Sequence, residues 1–177
     1  FPIWHQEIRD ILVLKNNKGT EDNRVRKLDY SIQLSKLFYE RFIQNKEITL
    51  FSPHDCPNLY ESFGTDDFDR LYCQYEDDES IPRSTIGAQE LILDLLKERA
   101  ETGRIYLMNI DHCNSHSSFL DKVEMSNLCQ EITLPTKPIQ HIDDEFGEIA
   151  LCILSAINIG KIRDVSDLED LCDLSVR

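Results

Sequence analysis

The pattern that most constrains the fold is an alternation of strand-sized apolar segments with amphipathic helices. The clearest helix is predicted over 85–102, where the pairs Leu91–Leu95 and Ile92–Leu96 repeat at a spacing of four residues. Gly103 then supplies a C-terminal stop, and 104–110 is typical of a strand. Alternating strands and helices indicate an α/β fold with a largely parallel sheet or barrel.

The other elements are predicted from the same two periodicities. Residues 111–126 are expected to form an irregular polar loop, and Ser166 with Glu169 predicts a capping box before a final helix. The segment 148–159 is apolar on both faces, so we expect a strand covered from both sides. Further helices are predicted over 3–14, 35–44 and 66–76, and further strands at 30–34, 47–52 and 128–134.

Composition and charge exclude several classes of function. The 177 residues carry 19 Lys and Arg against 33 Asp and Glu, a net charge of −14. Such an acidic chain is not expected to bind a nucleic-acid polymer or an anionic membrane surface. No apolar run, that at 149–153 included, reaches the roughly 18 residues of a membrane span. With no targeting segment and mostly free thiols expected from its six cysteines, the default location is the cytoplasm.

The two ends of the sequence predict an incomplete segment. The chain starts at Phe1 with no initiator Met, and it ends at Arg177 within a predicted helix. A length of 177 residues is ordinary for one domain. We nevertheless expect residues 1–177 to be cut at both ends.

The segment 127–131 carries the most informative side chains. If it is extended, Asn127, Cys129 and Glu131 share one face at intervals of about 6.5 Å. The thiol could act as a nucleophile or hydrogen-atom carrier, the carboxylate as a general base, and the amide as a group that orients a hydroxyl. The spacing alone favours a half-exposed strand whose polar residues face solvent.

Other candidate groups have more ordinary interpretations. Cys152 lies in an apolar segment where a buried cysteine is common, and a functional role requires it to face the same cavity as Cys129. His112, Cys113 and His116 form an incomplete set for zinc, so a polar loop that bonds its own backbone is favoured and no metal site is predicted. Neither a glycine-rich phosphate loop nor a G-x-S-x-G elbow occurs.

Several runs together carry a resemblance to a known family. The run 126–136, SNLCQEITLPT, and the run 147–158, GEIALCILSAIN, closely resemble active-site segments of the large (α) subunit of aerobic class I ribonucleotide reductase. The resemblance is to the bacterial and bacteriophage type of this enzyme. Upstream runs resemble the same family in the same order: WH at 4–5, LVLKNN at 12–17, NRVR at 23–26, LFSP at 50–53, ERA at 98–100, GRIY at 103–106 and DHCN at 111–114.

The resemblance implies a fold and a set of site residues. Residues 1–177 would be the central segment of a ten-stranded α/β barrel, with a central finger loop that carries the reactive thiol. Cys129 would become a transient thiyl radical, Glu131 would take the proton of the ribose 3′-hydroxyl, and Asn127 would bind the ribose hydroxyls. Leu128 would line the substrate site, and Cys152 would be one of two thiols that reduce the substrate.

The same resemblance implies partners and cofactors. The substrate would be a ribonucleoside diphosphate, and the radical would come from the metal centre of a small partner subunit, with no cofactor bound in this chain. The remainder of the large subunit, nucleoside triphosphate effectors bound outside this segment, and thioredoxin or glutaredoxin would complete the system. The second redox cysteine has no counterpart in residues 1–126. Two alternatives stay open: a non-catalytic half of a split subunit, and a relative of the glycyl-radical or anaerobic reductases.

Overall fold

A computed structural model describes residues 1–127, 129–151 and 153–177. The helices are α1 (Ile8–Leu12), α2 (Lys36–Ile43), α3 (Pro57–Ser62), α4 (Phe68–Asp77), α5 (Ala88–Thr102), α6 (Ile110–Ser115) and α7 (Leu168–Val176). The strands are β1 (Ser31–Leu34), β2 (Glu47–Phe51), β3 (Arg83–Gly87) and β4 (Tyr106–Asn109). The mixture confirms an α/β fold.

The strands form two pairs that the first residues of the chain connect. β1 pairs with β4 in parallel, and β2 pairs with β3 in antiparallel orientation. The segment 1–6 lies between the pairs, because Ile3 N–H donates to the Gln33 carbonyl at 3.0 Å and Gln6 N–H donates to the Phe51 carbonyl at 2.9 Å. Both of its bridges are parallel. The order β4, β1, 1–6, β2, β3 is an open array, and the described residues do not close a barrel.

Two apolar clusters hold the helices against this array. The first is aliphatic and includes Ile32, Ile48, Leu91 and Leu95, all of them buried. Leu91 and Leu95 lie one turn apart on α5, as their spacing predicts, and Gly103 ends that helix with a left-handed φ of 63°.

The second cluster is largely aromatic and lies around α3, α4 and the end of β2. The Phe63 and Phe68 rings are 4.7 Å apart, and the Phe51 and Tyr72 rings meet edge to face at 5.5 Å. Trp4 from the segment 1–6 packs edge-on against Phe63. The segment 1–6 therefore contributes to the core as well as to the strand array.

The early elements agree with the sequence predictions, and some later ones do not. α2, α4, β1, β2 and β4 are confirmed, whereas the predicted helix over 3–14 is reduced to α1. Residues 111–115 are helical within α6 rather than part of a loop, because His116 and Ser117 N–H groups continue its turns. The capping box is wrong: α7 begins at Leu168, and it is Asp164 that accepts from the Ser166 N–H.

The predicted strands at 128–134 and 148–159 are also wrong. Among the described residues of these segments none lies in a strand; Glu148 alone forms a single bridge, to Lys137. Ile149, Leu151 and Ile153 are 68%, 76% and 94% exposed, because no described element covers them. No helix among the described residues is both long and apolar enough to cross a membrane.

Candidate functional site

The described candidate residues Asn127, Cys129 and Glu131 lie in a tight turn. Gln130 N–H donates to the Asn127 carbonyl at 3.1 Å, and Gln130 has a φ of 66°. The expected extended strand, with Asn127, Cys129 and Glu131 on one face, is therefore wrong. Asn and Ser side chains offer the backbone local hydrogen bonds that compete with a strand ladder, and that competition decides the geometry here.

The turn brings two of the three predicted groups into direct contact. The Asn127 side-chain amide Nδ2 donates to Glu131 Oε1 at 2.7 Å. The opposite end of the same amide, Oδ1, accepts from the Ile132 N–H at 3.0 Å. Asn127 therefore binds both the Glu131 carboxylate and the backbone N–H of Ile132. In an extended strand, where alternate side chains are about 6.5 Å apart, this arrangement would not form.

Cys129 is exposed and belongs to the same turn. Its backbone lies between the two hydrogen-bonded partners, Asn127 and Glu131, two residues from each. Leu128 and Cys152 lie outside the described residues. The five cysteines other than Cys152, Cys129 among them, are free thiols.

The turn borders a large cleft. The cleft has a volume of about 940 Å³, and Ser126, Asn127 and Gln130 contribute to one side of it. The segment 1–6, β1 and the residues 136–139 and 148–150 provide much of the remaining lining. A space of this size matches a nucleotide-sized or drug-sized ligand.

Residues 136–150, whose two ends line the cleft, form a hairpin-like loop. Glu148 N–H donates to the Lys137 carbonyl at 3.0 Å, and the two side chains form an exposed ion pair at 3.1 Å. Within it, Asp144 accepts from the Gln140 and Phe146 N–H groups at 2.9 Å, and these bonds lower the pKa of the Asp144 carboxyl. Ala150 of this loop lies two residues before Cys152.

The segment that leads into the turn is fixed by the fold. Val123 is fully buried, and its N–H and carbonyl both bond the Asn114 side chain of α6. Gln33 of β1 donates from Nε2 to the Glu124 carbonyl at 2.5 Å. The turn therefore starts from a backbone that is anchored to a helix and to a strand.

Three residues of the site were missed at the sequence level. Ser126 contacts the turn directly, and Gln33 and His5 line the cleft. Burial lowers the pKa of His5, and the nearby Glu7 carboxylate opposes that shift. The Glu7 N–H donates to His5 Nδ1 at 3.1 Å, which fits a neutral ring. The Ser-Asn pair at 126–127 was a usable signal, because these residues favour turns.

The described residues include no group of three or more His, Cys, Asp and Glu side chains that could hold a metal ion. His112 of α6 and His116, the residue that caps the end of this helix, have their rings edge to face at 5.7 Å.

Comparisons with known proteins agree on one family. Residues 1–177 match the family described as ribonucleotide reductase, barrel domain. The chain is 54% identical to the ribonucleoside-diphosphate reductase subunit alpha of Buchnera aphidicola subsp. Schizaphis graminum and 58% identical to that of Haemophilus influenzae. It is 42% identical to the corresponding subunit of Enterobacteria phage T4. Each alignment covers 100% of this chain and 24% of the relative's length.

Proposed function

The chain belongs to the ribonucleotide reductase barrel-domain family, and on that premise we propose that it forms part of a ribonucleoside-diphosphate reductase large subunit. The whole enzyme would convert ribonucleoside diphosphates to deoxyribonucleoside diphosphates for DNA synthesis. The observation that carries the proposal is the turn at 127–131, which joins the Asn127 amide to the Glu131 carboxylate and contains the exposed Cys129. The chain spans about a quarter of the length of these relatives.

We assign the chemistry of the turn as follows. A thiyl radical on Cys129 removes the hydrogen atom from the ribose 3′ carbon, which converts the radical to a thiol. Glu131 takes the proton of the 3′-hydroxyl as a general base. Asn127 donates to the carboxylate and orients the ribose hydroxyls, and Leu128 lines the same site.

The reduction itself needs two thiols. Cys152 and a second cysteine outside this chain give up two electrons and two protons, the 2′-hydroxyl leaves as water and is replaced by hydrogen, and a disulfide remains. Cys129 then returns its hydrogen atom to the 3′ carbon and Glu131 its proton to the 3′ oxygen, which regenerates the thiyl radical. Thioredoxin or glutaredoxin would return the disulfide to thiols. The radical itself is supplied by the metal centre of the small subunit, and nucleoside triphosphate effectors act from regions outside residues 1–177.

The finer architecture is part of the same proposal. We infer that the open array β4, β1, 1–6, β2, β3 is one portion of a ten-stranded barrel, with the turn at 127–131 as its central finger loop. The exposed Ile149, Leu151 and Ile153 would pack against the remainder of the large subunit, because apolar side chains at this exposure favour burial. A cytoplasmic location accompanies this function.

The test uses a complete large subunit with its small subunit, a ribonucleoside diphosphate and a dithiol reductant. Cys129→Ser is expected to abolish turnover, and Glu131→Ala to lower it by roughly 10²- to 10⁴-fold, as for other general bases. Cys73→Ser is the matched control, since Cys73 is an exposed thiol on α4. Near-normal turnover of either site variant would refute the assignment.

The same exposed apolar residues support a second candidate, a non-catalytic half of a split subunit. The two candidate functions are distinguished by measuring the mass of the natural polypeptide and by identifying the proteins that copurify with it. A single long polypeptide supports the first. A short chain that copurifies with a complementary reductase chain supports the second.

A further inference from the structure

We propose that Ser126 is a positioning residue that fixes the Asn127–Glu131 pair through the backbone of Ile132. The inference rests on the proposed function of that pair and goes beyond it by adding a residue that need not touch the substrate. The carrying geometry is a closed loop of hydrogen bonds between residues 126 and 132.

The loop closes at its base through one hydroxyl. Ser126 Oγ donates to the Ile132 carbonyl oxygen, a contact that joins residues six positions apart, and the same Oγ also lies 3.2 Å from Asn127 Oδ1. The Ile132 N–H donates to Asn127 Oδ1 at 3.0 Å. Ile132 is therefore bonded through both of its backbone groups, which belong to the two peptide planes on either side of its Cα.

The orientation of the Asn127 amide follows from this arrangement. An amide has one acceptor end and one donor end, and only the donor end can bond a carboxylate. The Ile132 N–H holds Oδ1, which leaves Nδ2 to donate to Glu131 at 2.7 Å. If Ile132 drifts, the amide can rotate and point Oδ1 at the carboxylate, where the two oxygens repel.

Ser126 is suited to this role because its own backbone is anchored. Two residues earlier the Glu124 carbonyl accepts from Gln33, and Val123 bonds Asn114 through both backbone groups. By contrast, residues 131–136 lie outside any helix or strand. Ser126 therefore connects Ile132, after the turn, to a backbone that is anchored to β1 and α6.

The experiment compares two isosteric side chains, Thr and Val, at position 126 in the complete enzyme. Ser126→Thr keeps the hydroxyl and Ser126→Val replaces it with a methyl group, so the two variants differ in one polar atom. We expect kcat of Ser126→Thr within about threefold of the unchanged enzyme. For Ser126→Val and Ser126→Ala we expect kcat to fall roughly 10- to 100-fold, with KM for the nucleotide within about twofold.

Two controls make the outcome specific. Ser117→Ala removes a hydroxyl that accepts from the Phe119 N–H in the preceding loop, and it should leave kcat unchanged. In an Asn127→Ala background, Ser126→Val should have no further effect on the residual kcat, because Ser126 acts through Asn127.

Three results would overturn the inference: equal kcat for the Thr and Val variants, a loss confined to KM, or additive losses in the Asn127→Ala background. Cys129→Ser, assayed in parallel, separates this outcome from failure of the proposed function. An inactive Cys129→Ser with a fully active Ser126→Val removes only the positioning role, whereas an active Cys129→Ser removes both.

Discussion

Asn114 and Val123 are joined by a pair of hydrogen bonds in which one side-chain amide satisfies both backbone groups of a buried residue. The amide Nδ2 donates to the Val123 carbonyl at 3.0 Å, and Oδ1 accepts from the Val123 N–H at 2.8 Å. The same Nδ2 also donates to the Ile110 carbonyl of its own helix. This contact ties α6 to the segment that leads into the site.

Replacing Asn114 should therefore loosen the turn as well as the helix contact. In Asn114→Ala, two backbone groups of Val123 lose their partners, at a cost of about 1–3 kcal/mol for each group that stays buried. We expect faster amide exchange at residues 123–132 in hydrogen–deuterium exchange of the complete subunit. The control is Asn109→Ala, whose side chain accepts from the exposed Tyr39 hydroxyl. Unchanged exchange at Val123 would contradict the role.

Gly64 is expected to tolerate no side chain. Its φ is 85°, and a Cβ there would lie 2.6 Å from Ile110 Cγ1 and 2.8 Å from Asn114 Nδ2. Gly64→Ala should lower the free energy of unfolding by about 2–5 kcal/mol, adding overpacking to left-handed strain.

Gly103 is the matched control for this substitution. It has a φ of 63°, but no atom lies within 4 Å of the position that a Cβ would take. Gly103→Ala therefore carries the backbone strain alone, about 1–2 kcal/mol. Both variants are compared by thermal unfolding of the complete subunit. Equal losses would show that the contact with α6 is unimportant.

The ion pair between Arg41 and Glu76 is expected to stabilise the packing of α2, β2 and α4. The two side chains are 14% and 19% exposed, and Glu76 Oε1 also accepts from the Thr49 hydroxyl at 2.6 Å. Hydrogen bonding to Glu76 raises the pKa of Arg41, although its burial opposes this. Glu76→Ala leaves a largely buried guanidinium without its partner and should cost about 3–5 kcal/mol in denaturant unfolding.

The comparison for this pair is Arg70–Asp67, whose side chains are 58% and 70% exposed. Asp67→Ala should cost at most about 1 kcal/mol, since exposed ion pairs are screened by water. If both variants lose the same stability, burial does not set the strength of the Arg41–Glu76 pair.

Cys56 is expected to resist alkylation in the folded protein. Burial, with a contribution from Asp55, raises the pKa of its thiol to about 11. At pH 8 only about 0.1% of Cys56 would be thiolate and its side chain is fully buried, so iodoacetamide should modify the exposed Cys73 at least 100-fold faster. Peptide mapping after timed alkylation measures both rates.

The raised pKa of Cys56 also makes the free energy of unfolding depend on pH in a definite direction. Between about pH 8.5 and 11 the unfolded thiol loses its proton while the folded one keeps it, so stability falls as pH rises through this range. Cys56→Ala should flatten that dependence in unfolding experiments. An unchanged slope, or rapid native alkylation of Cys56, would contradict its burial.

The sequence predicted best where local periodicity and tertiary packing agree. α5 and its end at Gly103 follow from side-chain spacing alone. Residues 85–87 of β3 fall within the predicted helix, because this strand depends on pairing with β2, some 35 residues earlier, and only the three-dimensional register reveals that partner.

For the site, the residue types were recognisable but their arrangement was not. Ile132, Thr133 and Leu134 are typical of a strand, yet the positive φ of Gln130 and the side-chain bonds of Asn127 create a turn. The apolar run after Glu148 was likewise interpreted as a buried strand, whereas burial requires neighbours that the described residues do not supply.

The position of residues 1–6 between two strand pairs affects how the protein can be synthesised. During translation this segment leaves the ribosome before its hydrogen-bonding partners Gln33 and Phe51 exist as folded strands. The central segment 1–6 is therefore synthesised first, but it can pair only after β1 and β2 have been synthesised. Such non-local pairing slows folding and leaves strand edges exposed to aggregation, so nascent chains of this kind are natural clients for chaperones.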